Sequence, residues 1–214
     1  MDHRRDSSSL EPTDTRADVG GRPLRKRLDD DRRDELLDGV MAIIAERGFS
    51  QVQVAELARE LRCSVATLYK ISSSKESLVL LAIGRWGDVT LSSLERRALR
   101  AGSATERARE YFLGAAESLR PLSLTFRGDV ERFDSTRVGY QAISDRFVAR
   151  FVQLLDDAVE AGEMKPMNTR FLGHLLRQIN RVIRDEHVLR DSGLTSEEAG
   201  LQVDRLIWEG LRLR

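Results

Sequence analysis

The sequence predicts an all-α protein. Apolar residues recur at the 3.6-residue spacing of helices, the chain has four prolines among its 214 residues, and strand-like alternation is missing. Hydrophobic residues make up 41% and charged residues 33% of the chain, which is enough for both a core and a solvated exterior. This composition excludes a wholly disordered chain.

The N-terminal segment 1–23 predicts a disordered tail because it is polar and contains little that a core could bury. A basic cluster follows it, formed by Arg22, Arg25, Lys26 and Arg27. The three aspartates at 29–31 then supply an N-cap and negative charge for a first helix over about 31–47. Gly48 is expected to end that helix.

Two short helices are predicted next, over about 53–61 and 64–71, with Ser64 as the N-cap of the second. Two short helices joined by a tight turn are typical of a helix-turn-helix motif. A long helix over about 74–100 follows, capped by Ser73 or Ser74.

The remaining sequence predicts four or five more helices. Ser103 and Glu106 have capping-box spacing, and Pro121 suits the first position of a helix. The expected ranges are about 104–119, 121–132, 135–161, 168–190 and 195–212. We therefore expect a tail (1–23), an N-terminal three-helix helix-turn-helix domain (24–75) and a C-terminal helical bundle (76–214).

The charge of the chain is balanced overall but unevenly distributed. Lys and Arg number 35, as do Asp and Glu, so the formal net charge is zero. Between Arg59 and Lys75, however, four basic residues accompany one acidic residue, whereas residues 104–214 contain 17 basic and 18 acidic residues. The predicted helix-turn-helix thus has a local positive charge of the kind that attracts nucleic acid.

The segment 48–78 resembles the DNA-binding segment of the tetracycline-repressor (TetR) family of regulators. The matching positions are Gly48, Phe49, Val54, Ala58, Ser64, Thr67, Leu68, Tyr69, Ser74, Lys75, Glu76 and Leu78. The chain departs from the family pattern at several sites, with Arg62 and Cys63 in place of the usual Gly and Val, and Ile71 and Ser72 in place of an aromatic pair. The resemblance implies a homodimer that binds double-stranded operator DNA and responds to a small-molecule effector.

The resemblance also suggests roles for individual residues. Tyr69 would contact a phosphate, or else be an ordinary tyrosine at the edge of the core. Lys75 would add charge near phosphate or lie on the surface, Thr67 would contact DNA or pack its helix, and Gln53 would contact phosphate or cap its helix. Val65, Ala66 and Lys70 are expected to approach the edges of the bases. The basic cluster with Arg25, Lys26 and Arg27 is either an arm along DNA or a flexible linker.

The C-terminal bundle is expected, by the same resemblance, to hold an effector cavity and the dimer interface. Aromatic residues that would line the cavity, or form ordinary core, are Trp86, Phe112, Phe126, Tyr140, Phe147 and Phe151. Arg127, Asp129 and Arg132 are candidate polar anchors for the effector or salt-bridged surface residues. The last two predicted helices resemble the pair that forms a four-helix bundle across the family's dimer, through Phe171, Leu175, Ile179, Val182, Leu206, Ile207 and Leu211.

These features predict a ligand-responsive, sequence-specific transcriptional regulator, specifically a repressor released by its effector. The alternative is a helical protein–protein adaptor that keeps a helix-turn-helix scaffold without recognising an operator. Enzyme motifs such as G-x-S-x-G, the P-loop and G-x-G-x-x-G do not occur, so we expect neither catalysis nor a cofactor. A lone cysteine, Cys63, and the lack of an apolar signal or membrane-spanning run favour a cytoplasmic protein.

Overall fold

The computed structural model describes the backbone of residues 24–211 and the side chains of residues 29–209. Within that range the chain forms ten α-helices and no strand, as the sequence predicts. They are α1 (Leu24–Arg47), α2 (Val54–Glu60), α3 (Val65–Ile71), α4 (Lys75–Ala98), α5 (Ala104–Ser118), α6 (Leu124–Arg132), α7 (Asp134–Glu160), α8 (Thr169–Val182), α9 (Glu186–Ser192) and α10 (Ser196–Leu211).

Three of the predicted helix caps are confirmed. The Ser64 hydroxyl accepts a hydrogen bond from the backbone N–H of Thr67 at the start of α3, and Ser74, rather than Ser73, caps α4. Ser103 and Glu106 form a complete capping box at the start of α5. Local serine chemistry therefore fixes where these helices begin.

The first helix begins earlier than predicted. It starts at Leu24, so the aspartates at 29–31 lie inside α1 and do not cap it. Arg25, Lys26 and Arg27 belong to the first turn of α1, but their side chains lie outside the described residues. The tail predicted over 1–23 also lies outside them.

Two predictions in the C-terminal half are wrong. The single helix expected over 168–190 is broken at its middle, because α8 ends at Val182 and the Asp185 carboxylate caps a new helix by accepting from the N–H groups of His187 and Val188. The helix expected from Pro121 begins at Leu124 instead, where the Ser123 hydroxyl provides the cap. In both places a short polar side chain satisfies the free N–H groups of a helix start.

The helices bury two hydrophobic cores. The first combines residues of α1–α4 with Leu122, Phe126, Val130 and Tyr140, so it crosses the boundary predicted at 75/76. The second lies among α4, α5, α7, α8 and α10 and is built around Phe112, Phe147 and Phe151. The long helix α4 contributes to both cores, and α6 packs on the first. Residues from the C-terminal half thus help to hold the helix-turn-helix in place.

A buried carboxylate strengthens this connection. Asp129 on α6 accepts hydrogen bonds from the backbone N–H groups of Phe49 (2.6 Å) and Ser50 (2.7 Å) in the loop after α1. Gly48, whose φ is +76°, makes room for it, because a Cβ there would lie 2.6 Å from a carboxylate oxygen of Asp129. Gly48 therefore ends α1, as predicted, and also permits the contact with α6.

Candidate functional site

Helix α3 presents one exposed face to solvent. Val65, Ala66, Tyr69 and Lys70 are all exposed on it, with 48% of the Tyr69 side chain accessible. On the opposite side Leu68 is buried in the first core. A short helix held by one buried leucine, with small and polar side chains pointing outward, has the form needed to enter a major groove.

The start of α3 is ordered by a small polar cluster. The hydroxyl groups of Ser64 and Thr67 are 2.8 Å apart, and Thr67 is half-buried. Gln53 is exposed and occupies the N-cap position of α2, where its backbone carbonyl accepts from the N–H groups of Glu56 and Leu57, but its side chain makes no capping hydrogen bond. Contact of these side chains with DNA stays a prediction.

Lys75 lies at the start of α4 and is only partly exposed. Its ammonium group donates a hydrogen bond to the backbone carbonyl of Ser50 at 3.0 Å. Lys75 therefore joins α4 to the loop after α1, and it is not a freely solvated surface lysine. Because an ammonium has three donors, the same group can still contact a phosphate.

An apolar cavity lies between α4, α5, α7 and the end of α8. Four of the six aromatic residues predicted to line a cavity are among its walls, namely Trp86, Phe112, Tyr140 and Phe147. Phe126 lines a separate narrow recess, which it shares with Tyr140. Phe151 is fully buried, and its ring packs against those of Phe112 and Phe147 within the second core. Neither Phe126 nor Phe151 lines the cavity itself.

Two buried arginines line the recess, and one of them also lines the cavity. Arg184 lines both the cavity and the recess, and Arg127 lines the recess. The Arg184 guanidinium lies 5.3 Å from the centre of the Tyr140 ring. Burial, and to a smaller degree the charge of Arg184, lower the pKa of Arg127. Sequence reasoning placed Arg127 among the candidate anchors but missed Arg184, because nothing in its local pattern separates it from Arg181 and Arg190.

The other two candidate anchors do not line the cavity. Asp129 binds the loop between α1 and α2, and Arg132 is exposed.

Comparison with known proteins identifies the N-terminal part. Residues 36–82 match the family profile described as bacterial regulatory proteins, tetR family. This amino-terminal domain belongs to the TetR family. The HTH-type transcriptional repressor KstR of Mycolicibacterium smegmatis is 32% identical over 77 residues, which are 36% of this chain and 38% of that repressor. The chain therefore aligns with well under half of that relative's length.

Solved structures extend the likeness to the whole fold. A transcriptional regulator from Saccharomonospora viridis in complex with choline has a TM-score of 0.66 at 17% identity, covering 86% of this chain and 99% of the other. FadR from Bacillus subtilis in complex with stearoyl-CoA has a TM-score of 0.63 at 17% identity, covering 80% and 95%. At this identity the likeness concerns the fold, a TetR-type DNA-binding domain followed by a helical domain.

The predicted dimer residues fall into two groups. On α8, Phe171, Leu175 and Val182 form an exposed apolar stripe at helical spacing, and Leu206 on α10 is 74% exposed. Ile179 is partly buried against the second core, and Ile207 is buried in it, so Ile207 belongs to the interior of the chain. The side chain of Leu211 lies outside the described residues.

Arg62 occupies the one non-glycine position with a positive φ (51°) among the described residues. The N–H of Arg62 donates to the carbonyl of Arg59, and the N–H of Cys63 donates to that of Ala58. These two bonds form a Schellman motif that ends α2 and begins the turn of the TetR-type domain. A left-handed residue at this point explains why glycine is usual there in the family.

Replacing Arg62 separates its conformation from its charge. We expect Arg62→Gly to be more stable than Arg62→Ala by about 0.5–1 kcal/mol, because glycine relieves the left-handed strain and alanine keeps it. Both variants lose the same positive charge, so both should lower DNA affinity to the same extent. Urea unfolding and DNA titration measure the two effects. An Arg62→Ala protein as stable as Arg62→Gly would contradict the prediction.

Two further observations concern membrane-spanning helices and metal-binding clusters. Among residues 24–211, no helix is long and apolar enough to cross a membrane. In the same part of the chain, no group of three or more His, Cys, Asp and Glu side chains could hold a metal ion.

Proposed function

We propose that this chain is a ligand-responsive, sequence-specific transcriptional repressor that binds operator DNA as a homodimer. The observation that carries the proposal is the exposed face of α3, with Val65, Ala66, Tyr69 and Lys70, within a TetR-family domain. In a dimer two such helices would lie about 34–36 Å apart to reach successive major grooves. Tyr69 would contact backbone phosphate, and the other three side chains would face base edges.

The effector would act through the cavity of the helical domain. Its walls come from α4, α5 and α7, and α4 also contributes Leu78 and Val79 to the core of the DNA-binding domain. An effector that binds better to one arrangement of these helices shifts the population toward it and changes operator affinity. Release from the operator follows if the favoured arrangement misplaces the two α3 helices.

The adaptor hypothesis rests on residues that depart from the family pattern. Arg62 is accommodated in the left-handed conformation, the Ser72 hydroxyl donates to the Ser74 carbonyl, and Ile71 packs against the first core. These departures leave α2 and α3 in a helix-turn-helix arrangement. The adaptor is therefore retained as an outcome of the DNA-binding test.

Operator binding is tested by titrating the protein into a labelled DNA fragment from upstream of its own gene at several salt concentrations. We expect saturable binding whose affinity falls with salt, because Lys and Arg displace counterions from phosphates. Tyr69→Phe should weaken binding about fivefold or more on all fragments that bind, since it removes one hydroxyl contact per subunit and therefore two per dimer. Lys70→Ala should change the preference among fragments.

Lys165→Ala is the matched control for Lys70→Ala, because Lys165 is an exposed lysine in the loop between α7 and α8. The affinity of the Lys165→Ala protein for each DNA fragment should equal that of the unsubstituted protein. A protein that forms dimers in gel filtration yet binds no fragment, or binds without a salt dependence, would favour the adaptor.

A further inference from the structure

We propose that the effector is a slim amphiphile whose apolar chain fills the cavity and whose anionic end binds Arg184 and Arg127. This inference rests on the proposed function in one respect, that the cavity is the effector site. The relatives leave the charge of the effector open, because choline is a cation and stearoyl-CoA an anion. In this chain, Arg184 and Arg127 favour an anionic effector.

The body of the cavity is apolar. Its walls include Trp86, Leu91, Leu94, Phe112 and Ile143, and Arg184 is the one charged residue among the described residues that line it. The cavity encloses about 80 Å³, whereas sites for drug-sized ligands enclose about 300–1,000 Å³. A narrow apolar chain suits this space better than a wide ring system, and a long chain would have to move side chains apart.

The two arginines supply a charge that the protein does not neutralise. Arg184 is 9% exposed and Arg127 is 5% exposed. The Nε of Arg184 and the Nη1 of Arg127 are buried without a hydrogen-bond partner. Among the described residues, neither arginine forms an ion pair with a carboxylate. Buried charges are normally paired, so this pair lacks an anion.

These arginines do make hydrogen bonds, which orient their side chains but do not neutralise their charge. Arg184 donates to the side-chain oxygen of Gln141, and Arg127 donates to the backbone carbonyls of Leu122 and Leu119. All three acceptors are neutral. The lowered pKa of Arg127 has burial as its largest cause and Arg184 as a further one, and the opposite charge of a bound anion would offset both.

The position of Arg127 links such an anion to the DNA-binding domain. Arg127 and Asp129 lie on the same short helix, α6, and Asp129 holds the N–H groups of Phe49 and Ser50. An anion that draws Arg127 toward the cavity would shift α6 and therefore the loop before α2. This is a direct route from the cavity to the helix-turn-helix.

The test uses four probes with the same ten-carbon chain and different ends, titrated calorimetrically into the full-length protein without DNA. They are decanoate, decanoyl-CoA, decanol and decyltrimethylammonium. We expect decanoate or decanoyl-CoA to bind about tenfold or more tightly than decanol, because a charge-assisted hydrogen bond is stronger than a neutral one. Which of the two binds better tells whether the anion is a free carboxylate or belongs to a larger conjugate.

Arg184→Gln provides the second half of the test. It should reduce the affinity for the anionic probe about tenfold or more and leave that for decanol unchanged. Arg132→Gln is the control, because Arg132 is an exposed arginine on α6. Arg127→Gln should resemble Arg184→Gln. The probe series on the unsubstituted protein decides the question if these variants fail to fold.

The proposal is overturned if no anionic probe binds, if decyltrimethylammonium or decanol binds as tightly as the anionic probes, or if Arg184→Gln and Arg132→Gln behave alike. None of these measurements contains DNA. A protein that binds its operator but no anion would therefore refute this inference and leave the repressor function standing. A protein that binds the anion but no operator would support this inference and refute the repressor function.

Discussion

Replacing Asp129 by alanine is expected to lower the free energy of unfolding by about 3 kcal/mol. The carboxylate is 4% exposed and accepts from two backbone N–H groups, one of which, that of Phe49, is buried. A buried donor left unsatisfied costs about 1–3 kcal/mol. The Ser50 N–H is partly exposed, so water can replace part of its bond, and the total stays in the lower half of the combined range of about 2–6 kcal/mol.

Asp129→Asn is the matched control for this substitution. Asparagine keeps the size of the side chain and one acceptor oxygen, so we expect a loss of about 1 kcal/mol, due to a weaker neutral hydrogen bond. Urea unfolding followed by circular dichroism measures both variants. Protein concentration must be held constant, because subunit association contributes to apparent stability. An Asp129→Ala protein within about 1 kcal/mol of the parent would show that the two N–H groups are satisfied otherwise.

The parts of the fold that depend on local chemistry were predictable from the sequence. Ser64 and Ser103 begin helices, and Gly48 ends one, because the relevant hydrogen bonds and backbone angles involve residues at most four positions apart. The exposed face of α3 was predictable for the same reason. Its residues share the spacing of one helical turn, with Leu68 as the buried position between them.

Contacts between distant segments were not predictable. Asp129 and Phe49 are 80 positions apart, and the sequence offers no sign that this carboxylate, rather than Asp134 or Glu131, is buried. The break between α8 and α9 was missed because apolar spacing continues through it, while the Asp185 cap that starts α9 resembles any surface aspartate. Arg184 lies just before that cap. Its place at the cavity was therefore hidden by the same error.

Placing a lysine in the exposed apolar stripe of α8 is expected to dissociate the proposed dimer. In a two-fold interface each substitution occurs twice, so Leu175→Lys would remove two buried leucines and add two like charges. Leu206→Lys on α10 should act in the same way. At 2 kcal/mol or more per dimer for a central residue, the dimer dissociation constant should rise about thirtyfold or more. Analytical ultracentrifugation measures it directly.

Leu99→Lys is a close control, because Leu99 is 73% exposed and Leu206 74% exposed, yet Leu99 lies at the C-terminal end of α4 and belongs to neither α8 nor α10. It should leave the dimer intact. Loss of the dimer should also weaken binding to a fragment with two half-sites far more than binding to a fragment with one, because a monomer presents a single α3 helix. If Leu206→Lys and Leu99→Lys have the same dissociation constant, α10 lies outside the interface. If Leu175→Lys also matches them, the stripe on α8 does not join the subunits.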